Sequence, residues 1–433
     1  MKIHFVGILG ASMSVLAKIC SSFGHIVTGS DNGLNGHDEK NVGDADVVVF
    51  TSAVGENNVE VSYARKIGKK VLERAEFLGE ILKNYEKVFS ISGTHGKTST
   101  SGFLASIFQQ KSPTLHIGGQ LLNNFEVVGN RETIICESCE YRNSFHHINS
   151  DIALVLNMEF DHPDFFKDED DYIQSFLQFA KRAKKVIVNK KIAHHFENAI
   201  SFGLSEKADY YAKKIVETIH GISFDVFFDG KMLIKNVKIR SFGLHSVLNA
   251  LAAIALSHQA DIDKQEIKRG LFSFNGVKRR HELVGSLRVF CQKEKSSGKA
   301  YIYTDYAHHP TEVRSILRTF NRLKSKDGKI HIVYEPHTYS RTKTFLGEYA
   351  DALSLADEII LTKIFAAREK NTDGFSSLSL SGEVTKSSGK IAFYFESEDF
   401  ILEHLKKTVS KNDIVLFCGA GNVDKLAKRI VES

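Results

Sequence analysis

Lys87-Val-Phe-Ser-Ile-Ser-Gly-Thr-His-Gly-Lys-Thr98 is the stretch that decides how this chain is read. Lys87–Ser92 predicts a strand, and a helix is expected over about 97–110. The turn between them, Gly93-Thr-His-Gly96, has the context that a phosphate loop requires. Glycine lets backbone N–H groups crowd around phosphate oxygens, and the helix amino terminus adds positive potential. On that reading Lys97 reaches the β- and γ-phosphates and the Thr98 hydroxyl ligates Mg²⁺. The standard loop carries its first glycine where this chain has Ile91, so the loop is a shortened G-x-x-G-K-T form. A structural Gly-rich turn is the competing reading, and the spacing favours the nucleotide.

Further candidates stand at the ends of the neighbouring strands. Glu137 closes the strand expected at Thr133–Cys136, and His162 follows the one at Ile152–Leu156. In a parallel sheet, strand ends of this kind lie beside the phosphate loop. A carboxylate there suits Mg²⁺ or an ordered water. Histidine is a less usual ligand for so hard a cation, so His162 reads equally as a core or polarising residue. Toward the carboxyl terminus, Asp305-Tyr-Ala-His-His-Pro-Thr-Glu312 and Glu335-Pro-His-Thr-Tyr-Ser-Arg341 again follow apolar runs. Two adjacent histidines with an aspartate, and a His/Arg pair after the next strand, make a cationic constellation suited to a carboxylate or phosphate.

The amino-terminal 86 residues have a βαβ rhythm of their own. Strands are expected at Ile3–Val6, His25–Thr28, Ala45–Phe50 and Lys70–Leu72, with helices at Met13–Phe23 and Val59–Ile67. Such a doubly wound unit binds its ligand at the carboxyl ends of its strands. Gly7-Ile-Leu-Gly10-Ala-Ser12 fails the dinucleotide fingerprint at Leu9 and Ser12, which disfavours a redox dinucleotide and leaves another nucleotide open. A central rhythm runs from Lys87 to about Gly285, with helices at about 97–110, 170–182, 246–258 and 264–272. The third unit begins near Ser286, with strands at Ala300–Thr304, Ile330–Tyr334, Glu358–Leu361, Ile391–Tyr394 and Ile414–Phe417. Lys293–Lys299 and Ser376–Ser388 read as exposed polar loops.

Composition agrees with this organisation. At about 150 residues per domain, 433 residues suggest three domains. Apolar residues at 42% and charged residues at 25% are ordinary for a folded chain. A net charge of +5 excludes a binder held by bulk charge while permitting a local anion site. The basic cluster Lys181–Lys185 with Lys190-Lys191 lacks interleaved aromatics and reads as a solvated surface. The five cysteines are widely spread, so no disulfide framework is expected. Zinc at Cys136-x-x-Cys139 lacks a second ligand pair, and two free thiols are expected instead. No apolar stretch is long enough for a membrane span. A cytoplasmic protein without nucleic-acid or membrane partners, monomeric or weakly dimeric, is the expectation.

Together these motifs resemble the Mur ligase family over essentially the whole chain. The shortened loop Gly93–Thr98 matches the family's phosphate loop. Its alanine-adding members are similar at Glu137-Ser-Cys-Glu-Tyr141, Glu159-Phe-Asp-His162, Gly276-Val-Lys-Arg-Arg280, Asp305–Glu312 and Pro336–Thr342. The resemblance implies an α/β fold of three domains: a Rossmann-like UDP-sugar domain at 1–86, a central P-loop ATPase with a parallel sheet at 87–284, and a Rossmann-like amino-acid and nucleotide domain at 285–433. It implies ATP-dependent ligation of L-alanine to the lactyl carboxylate of UDP-N-acetylmuramate through an acyl phosphate, in peptidoglycan precursor synthesis. A muropeptide-recycling ligase of the same family, or a non-catalytic nucleotide-sugar and ATP sensor, are the alternatives.

The resemblance also assigns residues. Lys97, Glu137, His162 and His309 are the catalytic candidates. Gly93, Thr94, His95, Gly96, Lys97, Thr98, Ser99, Asn249, Arg280 and Asp305 would serve ATP, with Thr98, Glu137 and His162 holding Mg²⁺ or Mn²⁺. Gly10, Ser12, Ser52, Arg74, Gly118, Gly119, His308, His337 and Arg341 would serve the sugar nucleotide or L-alanine. The chain departs from the family's pattern at Leu9 and Ser12, at Ser246, and at Thr338.

Overall fold

The computed structural model describes residues 1–218, 221–291, 296–371 and 374–432. Two units result, one of residues 1–161 and 165–276, the other of residues 162–164 and 277 onward.

The first unit starts with β1 (Lys2–Val6), α1 (Ala11–Ser22), β2 (Ile26–Ser30), β3 (Val47–Phe50), α2 (Val59–Lys66), β4 (Lys70–Glu73) and α3 (Arg74–Leu82). Their strands form a parallel four-stranded sheet in the order β2-β1-β3-β4. Val47–Phe50 is buried along its length, which is why it reads as an unbroken apolar run. In α1, Met13, Leu16, Ala17 and Cys20 recur at helical spacing and are buried. A capping box between Glu73 and Glu76 starts α3, an element the apolar pattern alone does not announce.

The central sheet has nine strands: β5 (Lys87–Ser92), β6 (Thr114–His116), β7 (Thr133–Glu137), β8 (Ser150–Val155), β9 (Ala183–Asn189), β10 (Ile200–Gly203), β11 (Tyr210–Thr218), β12 (Gly221–Phe228) and β13 (Lys231–Ile239). Their order is β13-β12-β11-β10-β9-β8-β5-β7-β6. β5 lies between β7 and β8, parallel to both, so the loop after it opens at the middle of the sheet. The helices are α4 (Lys97–Ile107), α5 (Glu169–Ala180), α6 (Leu244–Gln259) and α7 (Lys264–Ser273). β6 and the four strands β10–β13 are not expected from the sequence. β11–β13 pair antiparallel, and β11 and β13 carry exposed lysines that dilute their apolar content. The hairpin turn Asp229-Gly230, with φ of 48° and 71°, is the signal that marks it.

The second unit holds β14 (Glu282–Cys291), β15 (Ser296–Asp305), α8 (Pro310–Leu323), β16 (Ile330–Tyr334), α9 (Tyr339–Thr344), α10 (Leu346–Leu353), β17 (Glu358–Leu361), α11 (Ser377–Ser388), β18 (Ala392–Tyr394), α12 (Glu398–Thr408), β19 (Ile414–Cys418) and α13 (Val423–Glu432). The sheet order is β14-β15-β19-β16-β17-β18, with only the edge pair β14–β15 antiparallel. Two expected loops are corrected. Ser376–Ser388 is largely the helix α11: Ser376 caps its start, Leu380 and Val384 are buried four residues apart, and Gly389 closes it at φ 70°. Its serine content hid that apolar pair. Of Lys293–Lys299, residues 296–299 belong to β15, while 293–295 lie outside the described residues. No helix among the described residues is long and apolar enough to cross a membrane.

At the amino-terminal end of this sheet, buried His331 bridges Glu358 (Nδ1 to Oε2, 2.5 Å) and Asp413 (Nε2 to Oδ2, 2.9 Å). His404 adds a third contact, 3.0 Å from the other Glu358 oxygen. Burial alone would lower His331, but the bonds to Asp413 and Glu358 outweigh it and lift the imidazole from 6.5 to about 9. A raised histidine stabilises fully below about pH 6.5 and loses that contribution as pH rises through 9. The heat-denaturation midpoint is therefore expected to fall by on the order of 5 °C between pH 7 and pH 9.5. His331→Phe should flatten that slope whatever its own midpoint, and an unchanged slope would assign the pH dependence elsewhere.

Candidate functional site

The turn after β5 is held from below by the residues following β8. Asn157 accepts the His95 N–H at 2.8 Å and returns its amide to the His95 carbonyl at 3.0 Å. The Thr94 hydroxyl donates to the Glu159 carbonyl (2.8 Å), lies 2.9 Å from the buried Tyr172 hydroxyl, and accepts the Glu159 N–H. Gly96 has φ 86°, and a Cβ there would lie 2.5 Å from Asn249 Oδ1. The left-handed backbone and the tight approach both require glycine. Asn249, on α6, is thus brought against the loop.

Lys97 begins α4. Its ammonium donates to the Gly93 carbonyl at 2.5 Å and to both oxygens of buried Glu140 at 2.9 and 3.1 Å. Burial opposes the charged form, yet the Glu140 carboxylate outweighs it and holds Lys97 above the usual lysine range. Beside it, Thr98 donates to Glu137 at 3.0 and 3.1 Å, and the Gly118 N–H reaches Glu137 Oε2 at 3.1 Å. Burial nonetheless raises Glu137 above the ordinary carboxylate range. A hydroxyl and a carboxylate are hard oxygen donors, and a buried carboxylate still under-compensated by Lys97 suits a divalent cation. Gly119 packs on Thr98, where a Cβ would come within 2.6 Å of the threonine methyl. Ser99 lies in the same first turn of α4. His162 follows on the loop after β8 in left-handed backbone, φ 57°.

Four of the sugar-nucleotide candidates stand at the carboxyl ends of the four-stranded sheet, while Gly118 and Gly119 follow β6 of the central sheet. Gly10 and Ser12 flank the start of α1, Ser52 follows β3, and Arg74 opens α3 directly after β4. Asp31, just past β2, accepts the Leu9 N–H at 3.2 Å and shapes the loop after β1. Arg74 donates to Ser12 Oγ at 3.5 Å.

In the second unit, Asp305 ends β15 and accepts the N–H groups of His281 and Ala307, both at 2.8 Å. Arg280 contacts Glu312 at 3.2 Å and lies 3.7 Å from Asp305. Burial raises Asp305 even beside Arg280. His309 caps α8, is buried, and accepts from the Thr311 N–H at 3.4 Å. His308 stacks edge-on to His337, which lies 2.8 Å from an Arg341 guanidinium nitrogen. Thr338 stands at φ 62° and caps the helix that carries Arg341. His308 also meets Glu312, through its N–H at 3.0 Å and its ring Nδ1 at 3.3 Å, so it links His337 and Arg341 to Arg280, Asp305 and Glu312 in one continuous group.

Asn157, Glu140, Tyr172 and Glu335 were not singled out from the sequence. Glu140 and Asn157 stand within three residues of a strand end, the position that marks the other candidates. Both cysteines of the Cys136/Cys139 pair are free, one buried and one exposed.

Three family profiles match the chain: "Mur ligase family, catalytic domain" at 2–86, "Mur ligase middle domain" at 91–257, and "Mur ligase, glutamate ligase domain" at 288–421. The UDP-N-acetylmuramate–L-alanine ligase of Caldicellulosiruptor saccharolyticus is 36% identical over 461 residues, covering 100% of this chain and 98% of the relative. That of Clostridium acetobutylicum is 37% identical over 457 residues, covering 99% and 96%. Among solved structures, the UDP-N-acetylmuramate-alanine ligase of Thermotoga maritima superposes with a TM-score of 0.79 at 28% identity, covering 100% and 98%. A murein peptide ligase of Psychrobacter arcticus shares the fold at a TM-score of 0.68 and 22% identity, covering 100% and 98%.

Gly96→Ala tests the loop directly. The added methyl meets Asn249 in a backbone conformation that alanine resists, so ATP affinity is expected to fall by more than about tenfold with the fold retained. Calorimetric titration with ATP and far-ultraviolet circular dichroism check both halves, and unchanged affinity would remove the loop from the nucleotide site.

Proposed function

The chain belongs to the Mur ligase family, and from that premise we propose that it joins L-alanine to the lactyl carboxylate of UDP-N-acetylmuramate at the expense of ATP, in peptidoglycan precursor synthesis. The carrying observation is Lys97 beside Glu140, Thr98 and Glu137 at the centre of a parallel sheet. Full-length likeness to L-alanine ligases supports it. We assign residues 1–86 to the sugar nucleotide, 87–284 to ATP, and 285–433 to the amino acid and part of the nucleotide.

A carboxylate does not accept an amine directly. Its oxygen first attacks the γ-phosphorus of ATP, ADP departs, and an acyl phosphate results. The alanine amine then attacks the acyl carbon, loses a proton, and expels phosphate to leave the amide. In this scheme the loop N–H groups and Lys97 bind the phosphates, and Lys97 offsets the charges that must meet there. Thr98 and Glu137, with His162, would hold Mg²⁺, for which Mn²⁺ can substitute, and the ion neutralises phosphate charge when bound. Asn249 supports the loop at Gly96, while Arg280 and Asp305 serve the nucleotide. His308, His337 and Arg341 present cationic and N–H donors to the alanine carboxylate, and His309 fixes the turn that carries His308. Gly10, Ser12, Ser52, Arg74, Gly118 and Gly119 serve the sugar nucleotide.

The reading is tested by phosphate release from ATP with UDP-N-acetylmuramate, offering L-alanine, glycine, L-serine and a muropeptide in turn. Release with L-alanine is expected, and none with any amine would sink the assignment. Release with the muropeptide alone would move the chain to the recycling branch. Lys97→Ala should lower turnover by at least about a thousandfold while leaving sugar-nucleotide affinity within about threefold. Equal loss of both, in rate assays and titration calorimetry, would overturn the division of roles between 1–86 and 87–284.

A further inference from the structure

His116 is used by none of the roles above. It is the last residue of β6 and is 4% exposed, with Nε2 2.9 Å from Ser12 Oγ and Nδ1 3.6 Å from the buried thiol of Cys136. The same Ser12 oxygen receives the Arg74 guanidinium. Burial, with Arg74 adding to it, lowers His116 to about 3, so the ring is neutral. A neutral imidazole has one donor and one acceptor, and a hydroxyl is both, so the bond to Ser12 forms in either tautomer.

What this bond holds is the start of α1. Gly10 supplies no side-chain cap to that helix, so its first N–H groups have no side-chain partner there. Ser12 lies among them and Arg74 beside it, which together make a face for an anion. A serine hydroxyl at such a place is free to rotate unless something holds it. His116 does so from a different sheet, on the strand that leads to Gly118 and Glu137.

We propose that His116 is a positioning residue for the sugar nucleotide, holding the Ser12 hydroxyl and, through it, Arg74 in the orientation that meets the diphosphate. This rests on the sugar-nucleotide reading of residues 1–86. A purely structural histidine would lower stability and disturb all kinetic constants alike. A positioning histidine affects one substrate.

The test compares the full chain with His116→Leu and His116→Gln, by titration with UDP-N-acetylmuramate and by initial rates. Loss of a hydrogen bond that orders a charged contact corresponds to about tenfold in affinity. His116→Leu is therefore expected to raise the Kd and KM for the sugar nucleotide about tenfold, with kcat and the ATP KM within about twofold. Glutamine carries its amide to about where Nε2 stands and should restore binding to within about threefold. Ser12→Ala should cost less in the leucine background than alone. Should the leucine variant fail to fold, His116→Asn, whose amide sits nearer Nδ1, replaces it against glutamine. Unchanged sugar-nucleotide affinity, an equal rise in the ATP KM, or glutamine no better than leucine or asparagine would overturn the proposal. A wild-type protein that binds no sugar nucleotide would overturn the functional reading along with it.

Discussion

The nucleotide end of the molecule depends on one close approach, Gly96 against Asn249 at the mouth of the central sheet. The chain must leave β5, expose its N–H groups, and enter α4 within four residues, Gly93–Gly96. Against Gly96, where there is no side chain, a helix remote in sequence, α6, delivers the Asn249 amide. Asn157 fixes the peptide of His95 from the other side. The loop is thus determined by three segments of one unit, and a change in any of them alters where phosphate oxygens can be received.

Charge is arranged on this frame with the same economy. Half-buried Lys97 lies beside buried Glu140, so the protein itself supplies its ammonium with a carboxylate partner. A buried cation without one would be strongly disfavoured. The pair keeps Lys97 charged and extended along the loop. On the proposed reading, a phosphate at the loop would compete with Glu140 for the Lys97 ammonium.

Much of this was legible from the sequence, and the reason is local. Strand ends in parallel sheets are short, and each chemical residue follows an apolar run immediately: Ser92 then Gly93, Cys136 then Glu137, Thr304 then Asp305. The glycine, lysine and threonine of the loop carry the rest. What escaped depends on contacts between distant segments. His116 falls on β6, a strand the sequence does not announce, and only the proximity of Ser12 gives it meaning. Glu140 reads as a polar residue in a turn until Lys97 is placed beside it. The helix at 377–388 was hidden by serine, and the β11–β13 extension by lysines on its outer face, because both dilute the apolar periodicity that sequence reading depends on.

Six carboxylates at strand ends divide by which end of the strand they occupy. Glu137 at the end of β7, Asp305 at the end of β15, and Glu335 just past β16 are all raised, burial being the largest cause in each. Exposed Asp357, half-buried Glu358 and buried Asp413, at the amino-terminal ends of β17 and β19, are all lowered, because Lys324, His331 and backbone N–H groups more than offset their desolvation. The difference is one of compensation. At the amino ends the protein supplies every partner itself, and the result is stability. At the carboxyl ends it supplies too few, so that a cation or a donor from a ligand lowers the free energy of groups the fold leaves strained. In the six-stranded sheet, raised Asp305 and Glu335 at one edge and lowered Asp357, Glu358 and Asp413 at the other set a ligand-facing end against a structural end.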